Sequence, residues 1–352
     1  MFVFDPENPS EVTKKEKVFV FDNVFGDAKS TEEIYRETLT PALENMVQGF
    51  NSTIFAYGMT GAGKTYTMFG DIYNSNGGMQ FNPGLVNLMV RDIFQTFSNE
   101  SSNYEFFMKM SYIEIYNEQI RDLLNPSAEN LMVVEDPEKG VMISNISEYS
   151  IQSEHELLKH IFAGNSKRIM ATTHANQFSS RSHAIIQLTV EKRSRVRDIQ
   201  ETYTQSKLCF VDLAGSERAA TTENRGIRMQ EGANINRSLL ALGNCINILS
   251  DANKKGAFVP YRDSKLTRLL KDSLGGNTRT IMLACISPAS IAYEETVNTL
   301  NYASRARKIK KKVMSNIKEV ELHVSQYKEI IESLRNEIGS LKQQLEHSIN
   351  WG

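Results

Sequence analysis

Gly58, Gly63, Lys64 and Thr65 stand in the spacing G-x-x-x-x-G-K-[ST], within the run Gly58-Met59-Thr60-Gly61-Ala62-Gly63-Lys64-Thr65-Tyr66. These residue types at this spacing point to phosphate binding. Glycines at 58, 61 and 63 let the backbone turn tightly and aim successive N–H groups into one concavity. A helix starting near Gly63 would add the partial positive charge of its N-terminus. Lys64 can reach β- and γ-phosphates, and the Thr65 hydroxyl can hold Mg²⁺. Glycine-containing loops also match such patterns by chance, but the flanks argue against it here. Thr53-Ile54-Phe55-Ala56-Tyr57 reads as a buried strand, and a helix-compatible run follows Gly63.

Hydrolysis needs more than binding: it needs groups that sense a γ-phosphate and place water. Two stretches could supply them. Asn176-Gln177-Phe178-Ser179-Ser180-Arg181-Ser182-His183 is a polar cluster ahead of a strand, and its serine hydroxyls suit Mg²⁺, phosphate or water. Taken alone it also reads as a loop with a strand cap. Val211-Asp212-Leu213-Ala214-Gly215-Ser216-Glu217 places Asp212 at the end of an apolar strand, the usual position of a second Mg²⁺ anchor. Gly215 can turn its N–H toward a γ-phosphate, and Arg181 with Glu217 could close the two stretches by an ion pair.

The elements that position these groups alternate in type. Strands are expected at Phe2–Phe4, Lys17–Phe21, Thr53–Tyr57, Tyr104–Tyr116, Ala184–Val190, Leu208–Leu213 and Thr280–Ile286. Helices are expected from Thr31 to Val47 with a break or start at Pro41, from Gly84, after Ser153, and over Ile235–Leu249, Ser264–Ser273 and Glu294–Lys308. A small hairpin fits residues 128–150. The fold class is therefore α/β, a mixed sheet with a mostly parallel core and helices on both faces. Lys192, Arg193, Arg195 and Arg197 read as a solvated hairpin tip, or otherwise as a weak contact for an acidic partner. His155, Glu156 and His160 are spaced one residue too widely for a zinc helix and read as surface.

With 352 residues and 40% hydrophobic content the chain can bury a large core. Its net charge of −2 gives no global attraction to nucleic acid or membrane. No run of about 18 apolar residues occurs. Cys209, Cys245 and Cys285 are widely spaced in apolar runs, as reduced thiols of a cytosolic protein would be. From Val320, apolar residues recur through Val324, Tyr327, Ile331, Leu334, Ile338, Leu341 and Leu345 in alternating steps of four and three. That seam reads as a coiled-coil start, or as an amphipathic helix laid on the domain.

Taken together, GMTGAGKTYTM, NQFSSRSH, VDLAGSERA, NINRSLLALGNCI and YRDSKLTRLLKDSLGG resemble the motor domain of a kinesin. The Phe4-Asp5-Pro6 turn, the run Leu242–Asn247 and Val324-Ser325-Gln326-Tyr327 resemble the kinesin-8 family in particular. The resemblance implies a P-loop NTPase motor domain over residues 1–308, a neck linker over 309–319, and a neck helix or start of a coiled coil over 320–348. It also implies a microtubule-stimulated ATPase with ATP and Mg²⁺, movement toward plus ends, and some destabilisation of microtubule ends.

Residue by residue, Gly58 to Thr65 would hold ATP, and Tyr66 would pack near adenine. Ser179, Ser180 and Arg181 would belong to the first switch. Asp212, Gly215 and Glu217 would form the second, Thr65, Ser180 and Asp212 serving Mg²⁺. Glu217 would pair with Arg181 and relay a proton, and Asn236 would open the long helix. The helix from about Ile235 and the stretch Tyr261 to Lys271 would face tubulin, and within the latter Arg262, Lys265, Arg268 and Lys271 form a basic strip; alone it is also an ordinary charged helix face. The implied partners are microtubules and a second copy through the neck, and the implied location is the cytoskeleton, spindle or cilium. The sequence departs from the family at its start, where no Arg-x-Arg-Pro strand is found. An N-terminally truncated motor domain is the expectation. A microtubule-binding module with impaired hydrolysis is the alternative reading.

Overall fold

The computed structural model describes residues 2–3, 17–71, 82–136, 140–170, 181–196, 202–217, 227–319, 335 and 338–342. In chain order, β1 (Phe2–Val3) and β2 (Lys17–Val18) form an antiparallel pair. Then come α1 (Thr31–Thr38), α2 (Thr40–Val47), β3 (Ser52–Tyr57), α3 (Lys64–Phe69) and α4 (Leu85–Glu100). The middle of the chain forms β4 (Tyr104–Tyr116), β5 (Gln119–Asp122), β6 (Met132–Asp136), β7 (Gly140–Ser144), β8 (Tyr149–Ile151) and α5 (Glu154–Met170). The remainder forms β9 (His183–Ser194), β10 (Thr202–Asp212), α6 (Ile227–Ser250), α7 (Lys265–Leu269), α8 (Lys271–Gly275), β11 (Arg279–Ala284), α9 (Tyr293–Ala306) and β12 (Ile317–Glu319).

The main sheet runs β11-β3-β10-β9-β4-β5, with β8 added to β4 and β12 to β10. β11, β3 and β10 are parallel to their neighbours in this group. The pairings from β10 through β9 and β4 to β5 are antiparallel. All six residues of β3 are buried, as its unbroken apolar run requires of a strand covered on both faces. Ile54 and Ala56 enter a core cluster with Tyr35, Leu88, Ile93 and Leu157 of α1, α4 and α5 and with Leu39 between α1 and α2. Phe55 and Tyr57, on the opposite face, enter a second cluster with Leu242 and Ile246 of α6 and Tyr302 of α9.

Three expectations need correction. First, the helix expected from Ile235 begins at Ile227. Asn236 therefore lies inside α6 and does not open it; its side chain is outside the description. Second, the helix expected over Ser264–Ser273 is two short ones, α7 and α8, meeting at Leu270. Third, of the cations expected at a solvated hairpin tip, Arg193 and Arg195 are exposed near the β9–β10 connection as expected, but Lys192 is mostly covered, its charged end lying over an aromatic ring of β4. Lys192 Nζ sits 3.8 Å from the Tyr104 ring centre and 2.6 Å from Glu100 Oε2. Arg193 lies 5.1 Å from both the Phe107 and Tyr203 rings. Arg195 Nε donates to Ser101 O, and Arg197 falls outside the described residues.

The segment after α9 is seated on the core. Asn316 N–H and Asn316 Nδ2 both donate to Gly49 O, at 2.9 and 2.8 Å. Asn277 bonds the Met314 backbone in both directions. β12 then pairs with the first residues of β10. Lys311 Nζ donates to Thr280 Oγ1 at 2.8 Å and to Ser273 O, and burial pushes its pKa down to about 8. Most of the heptad tail, including Val324 through Leu334, lies outside the described residues.

The helix that follows the phosphate loop is fixed at its far end by glycines. Gly70 has φ +73°, a left-handed conformation, and bridges to Pro83. A Cβ on Gly84 would lie 2.4 Å from Gly70 N and Phe69 C, and 2.5 Å from Met68 O. All three are backbone atoms and have little room to yield. Gly84→Ala should therefore push α4 off the end of α3 and lower stability by about 1–3 kcal/mol, read as a reduced urea midpoint with unchanged slope.

Candidate functional site

β3 and β10 are neighbouring parallel strands, with Asp212 in register with Ala56. Both end at the same edge of the sheet, so the loops that leave them meet. Crevices at the carboxyl ends of parallel strands are where α/β sheets bind ligands. The loop after β3 takes φ +153° at Gly58, +81° at Gly61 and +89° at Gly63. At Gly58 a Cβ would lie 2.1 Å from the Cys285 carbonyl oxygen, so the close approach of β11 leaves room for glycine only. Gly63 caps α3, which begins at Lys64 as expected.

Lys64 is buried, and its Nζ donates to Met59 O at 2.9 Å. Burial lowers its pKa, while the charges of Asp212 and Glu217 oppose that shift. Thr65 Oγ1 donates to Asp212 Oδ2 at 2.8 Å. The same carboxylate oxygen accepts from Arg168 Nη1 at 2.7 Å, and both side chains of that ion pair are buried. Arg168 also donates to Ser182, through Nε to Oγ at 3.2 Å and through Nη2 to the carbonyl at 3.0 Å. It thus ties Asp212 at the end of β10 to the residue before β9.

The loop after β10 is fastened to the phosphate loop. Ser216 N–H donates to Gly58 O at 3.0 Å. Thr60 donates its backbone N–H to Glu217 Oε2 at 2.8 Å and its hydroxyl to Glu217 Oε1. Gly215 lies against both: a Cβ there would be 2.3 Å from Thr60 Oγ1 and 2.4 Å from Glu217 Oε2. The expected Arg181–Glu217 pair is not among the described contacts.

His183, buried at the start of β9, accepts from Ala214 N–H at Nδ1 over 3.0 Å. That bond leaves the ring proton on Nε2, which donates to Ser238 Oγ on α6 at 2.8 Å. Burial, with the charges of Arg168 and Lys64, pushes the imidazole pKa down to about 3, so it is neutral at ordinary pH.

The residues present fit a Mg²⁺. Asp212 Oδ1 is buried with no hydrogen-bond partner among the described residues, next to the Thr65 hydroxyl held by Oδ2. Two oxygen donors beside a phosphate-type loop are what a hard cation takes.

The structure thus brings together Gly58, Met59, Thr60, Gly61, Ala62, Gly63, Lys64, Thr65, Asp212, Gly215 and Glu217. Ser179 and Ser180 lie outside the described residues. Arg181 is the first described residue after them. Tyr66 is on α3 and about half exposed. The basic strip is split in use. Arg262 is exposed and Lys265 half-buried, while Arg268 Nη2 donates to Val133 O at 2.8 Å. Lys271 pairs with Glu135 at 2.8 Å. Sequence reasoning missed Arg168, because a cation on a helix ordinarily faces solvent and no local pattern marks this one as buried. It also missed the bridging role of His183, although the residue closes the polar cluster that was singled out. The three thiols are unpaired, and burial pushes each up to about 11.

The family description "Kinesin motor domain" matches residues 4–309. Kinesin-like protein KIF19 of Homo sapiens is 47% identical over 355 residues, covering 99% of this chain and 35% of that protein. KIF18B of Gallus gallus is 44% identical, covering 98% of this chain and 44% of its own length. KIP3 of Saccharomyces cerevisiae is 44% identical, covering 94% and 41%. The chain therefore spans well under half the length of these relatives. Among solved structures, a fast kinesin superposes with a TM-score of 0.78 at 38% identity, covering 88% of this chain and 85% of that one. A KIF14 dimer with AMP-PNP in complex with a microtubule gives 0.79 at 36%, covering 90% and 87%.

Two outcomes follow from the site's geometry. Arg168→Ala strands a buried carboxylate and should cost about 3–5 kcal/mol in urea unfolding. Arg168→Lys, with one point charge in place of a fork, should recover only part of it. The second concerns pH. Between pH 6.5 and about 3 the unfolded chain binds a proton at His183 that the fold excludes, so stability rises with pH across that window. The parent should lose about 1.4 kcal/mol more than His183→Asn between pH 7.5 and 5.5. Equal losses in urea melts would contradict the buried neutral ring.

Proposed function

The chain belongs to the kinesin motor family, and from that premise we propose that it hydrolyses ATP under stimulation by microtubules and turns the hydrolysis cycle into movement along them. Kinesin motor domains are ATP-hydrolysing motors, and this chain is similar to the kinesin-8 members KIF18B and KIP3. One observation carries the reading for this sequence. The phosphate loop, the Asp212 carboxylate with its free oxygen, and the loop bearing Gly215 and Glu217 meet at one edge of the sheet.

The chemistry assigned to the site is mainly positioning and charge stabilisation. The N–H groups of Gly58 to Thr65 and the N-terminus of α3 would cradle the phosphates. Lys64, now on the Met59 carbonyl, would exchange that acceptor for phosphate oxygens. Thr65 and Asp212 Oδ1, with Ser180, would hold Mg²⁺. When bound, Mg²⁺ would offset charge on the β- and γ-phosphates. The Gly215 N–H would read the γ-phosphate. Movement of this loop would draw Glu217 from Thr60 toward Arg181, where it would orient water and accept its proton. Ser179 would help place that water, and Tyr66 would pack against adenine.

The output side is the seated segment 309–319. Its contacts through Asn316, Asn277 and β12 support the reading of a neck linker in its docked position. Arg262 and Lys265 remain available to an acidic tubulin surface. Arg268 and Lys271 would contribute by fixing the β6–β7 ribbon beside them. Asn236 would act within α6 rather than at its start. Plus-end direction, destabilisation of microtubule ends, pairing of two copies through the heptad tail, and work at a spindle or cilium complete the proposal.

Fluorescent ATP-analogue binding and turnover separate the roles. Lys64→Ala should weaken nucleotide binding at least about 100-fold. Glu217→Ala should keep affinity within about threefold and lose more than about 99% of turnover, a barrier rise of at least about 2.7 kcal/mol. Unchanged affinity in the first, or normal turnover in the second, would remove that residue from the mechanism. Failure of the parent to pellet with microtubules would overturn the partner.

A further inference from the structure

The His183 ring lies between three elements and is bonded to two of them. It hangs from the first residue of β9, directly after Ser182, which Arg168 holds. Nδ1 accepts from the N–H of Ala214, the residue before Gly215. Nε2 reaches Ser238 Oγ, buried on the 24-residue helix α6. On the other side of Gly215 stand Thr60 and Glu217, too close for any side chain at that position. The peptide linking Ala214 to Gly215 is therefore clamped, with the phosphate loop on one side and an imidazole on the other. A shift of Gly215 toward a γ-phosphate must move the Ala214 N–H. The ring then either follows, carrying its Nε2–H relative to Ser238, or gives up a bond in a buried site, where a lost partner is costly.

We propose that His183 is a positioning residue that couples the nucleotide-side loop Ala214–Gly215 to helix α6 through Ser238. The coupling is directional in its chemistry. The ring accepts on the nucleotide side and donates on the helix side: the Nε2–H tautomer that Ala214 N–H selects makes the Ser238 hydroxyl the acceptor, whereas the Nδ1–H tautomer would lose the Ala214 bond and reverse the bond to Ser238. Ser238 belongs to α6 and not to the phosphate loop or to the loop after β10, so changing it tests transmission rather than chemistry. The inference rests on the proposed function and on α6, the helix that the kinesin resemblance turns toward tubulin, being the element that feels the microtubule.

The test is steady-state ATP hydrolysis by the whole chain, with and without microtubules, for the parent, Ser238→Ala and Ser238→Thr. The expected result for Ser238→Ala is a basal rate and nucleotide affinity within about twofold of the parent, with microtubule stimulation cut at least about tenfold. Ser238→Thr restores a hydroxyl acceptor and should recover most of the stimulation. Basal and stimulated rates falling in equal proportion would mark a merely structural role and overturn the proposal, as would full stimulation in Ser238→Ala. If Ser238→Ala unfolds, ring ¹⁵N shifts of His183 in the parent decide. A neutral Nε2–H tautomer, whose signals shift when a non-hydrolysable ATP analogue is added, supports the coupling. An Nδ1–H tautomer, or signals blind to nucleotide, excludes it. A parent that is not stimulated at all would instead overturn the functional reading on which the inference stands.

Discussion

A carboxylate buried at the end of a strand constrains this whole molecule. Asp212 is fully enclosed, and a lone charge there would be prohibitive. Arg168 meets one oxygen from α5, and Thr65 meets the same oxygen from the phosphate helix. The other oxygen is left without a hydrogen bond among the described residues. Buried pairs of this kind add little net stability, because desolvation offsets the attraction. Their value is geometric. To keep Asp212 paired, α5, α3, the residues before β9 and the end of β10 must keep their mutual positions, and the one unsatisfied oxygen must face the loop that holds phosphates.

The sheet makes that arrangement possible. Parallel pairing of β3 with β10 and β11 puts three loops at one edge, while alternating residues of β3 anchor separate cores on the two faces. A displacement at the phosphate edge is therefore felt by helices on both sides. α9 lies in the second core, where Tyr302 stacks on Tyr57 with ring centres 4.1 Å apart, one residue before Gly58. The chain leaves α9 to run over the Gly49 and Asn277 contacts into β12. Phosphate loop and seated segment are thus joined by packed elements, not by a flexible connection.

Much of this was legible in the sequence, and the residues show why. Gly58 to Thr65 follow a spacing set by backbone geometry, so the pattern survives in any chain that uses it. β3 carries an apolar run and β4 is rich in aromatic and apolar residues, and Tyr104–Tyr116 was read to the residue. Errors came where tertiary context overrides local pattern. Nothing near Lys192 says that the neighbouring strand will offer Tyr104 as a surface for it. The start of α6 was set eight residues late because Ile227–Asn234 has few apolar positions to mark a helix face. Arg168 and Ser238 are joined to the site only by contacts across 44 and 55 residues of chain, which no spacing rule reaches.

The central claim is that the phosphate site and the track are coupled in this chain. The most direct measurement is its steady-state rate of ATP hydrolysis with saturating microtubules against the rate without them. The account predicts stimulation of about tenfold or more, equivalent to about 1.4 kcal/mol at the barrier. Tight binding to microtubules with no change in rate would contradict it and would leave a microtubule-binding module whose site is not driven by its partner.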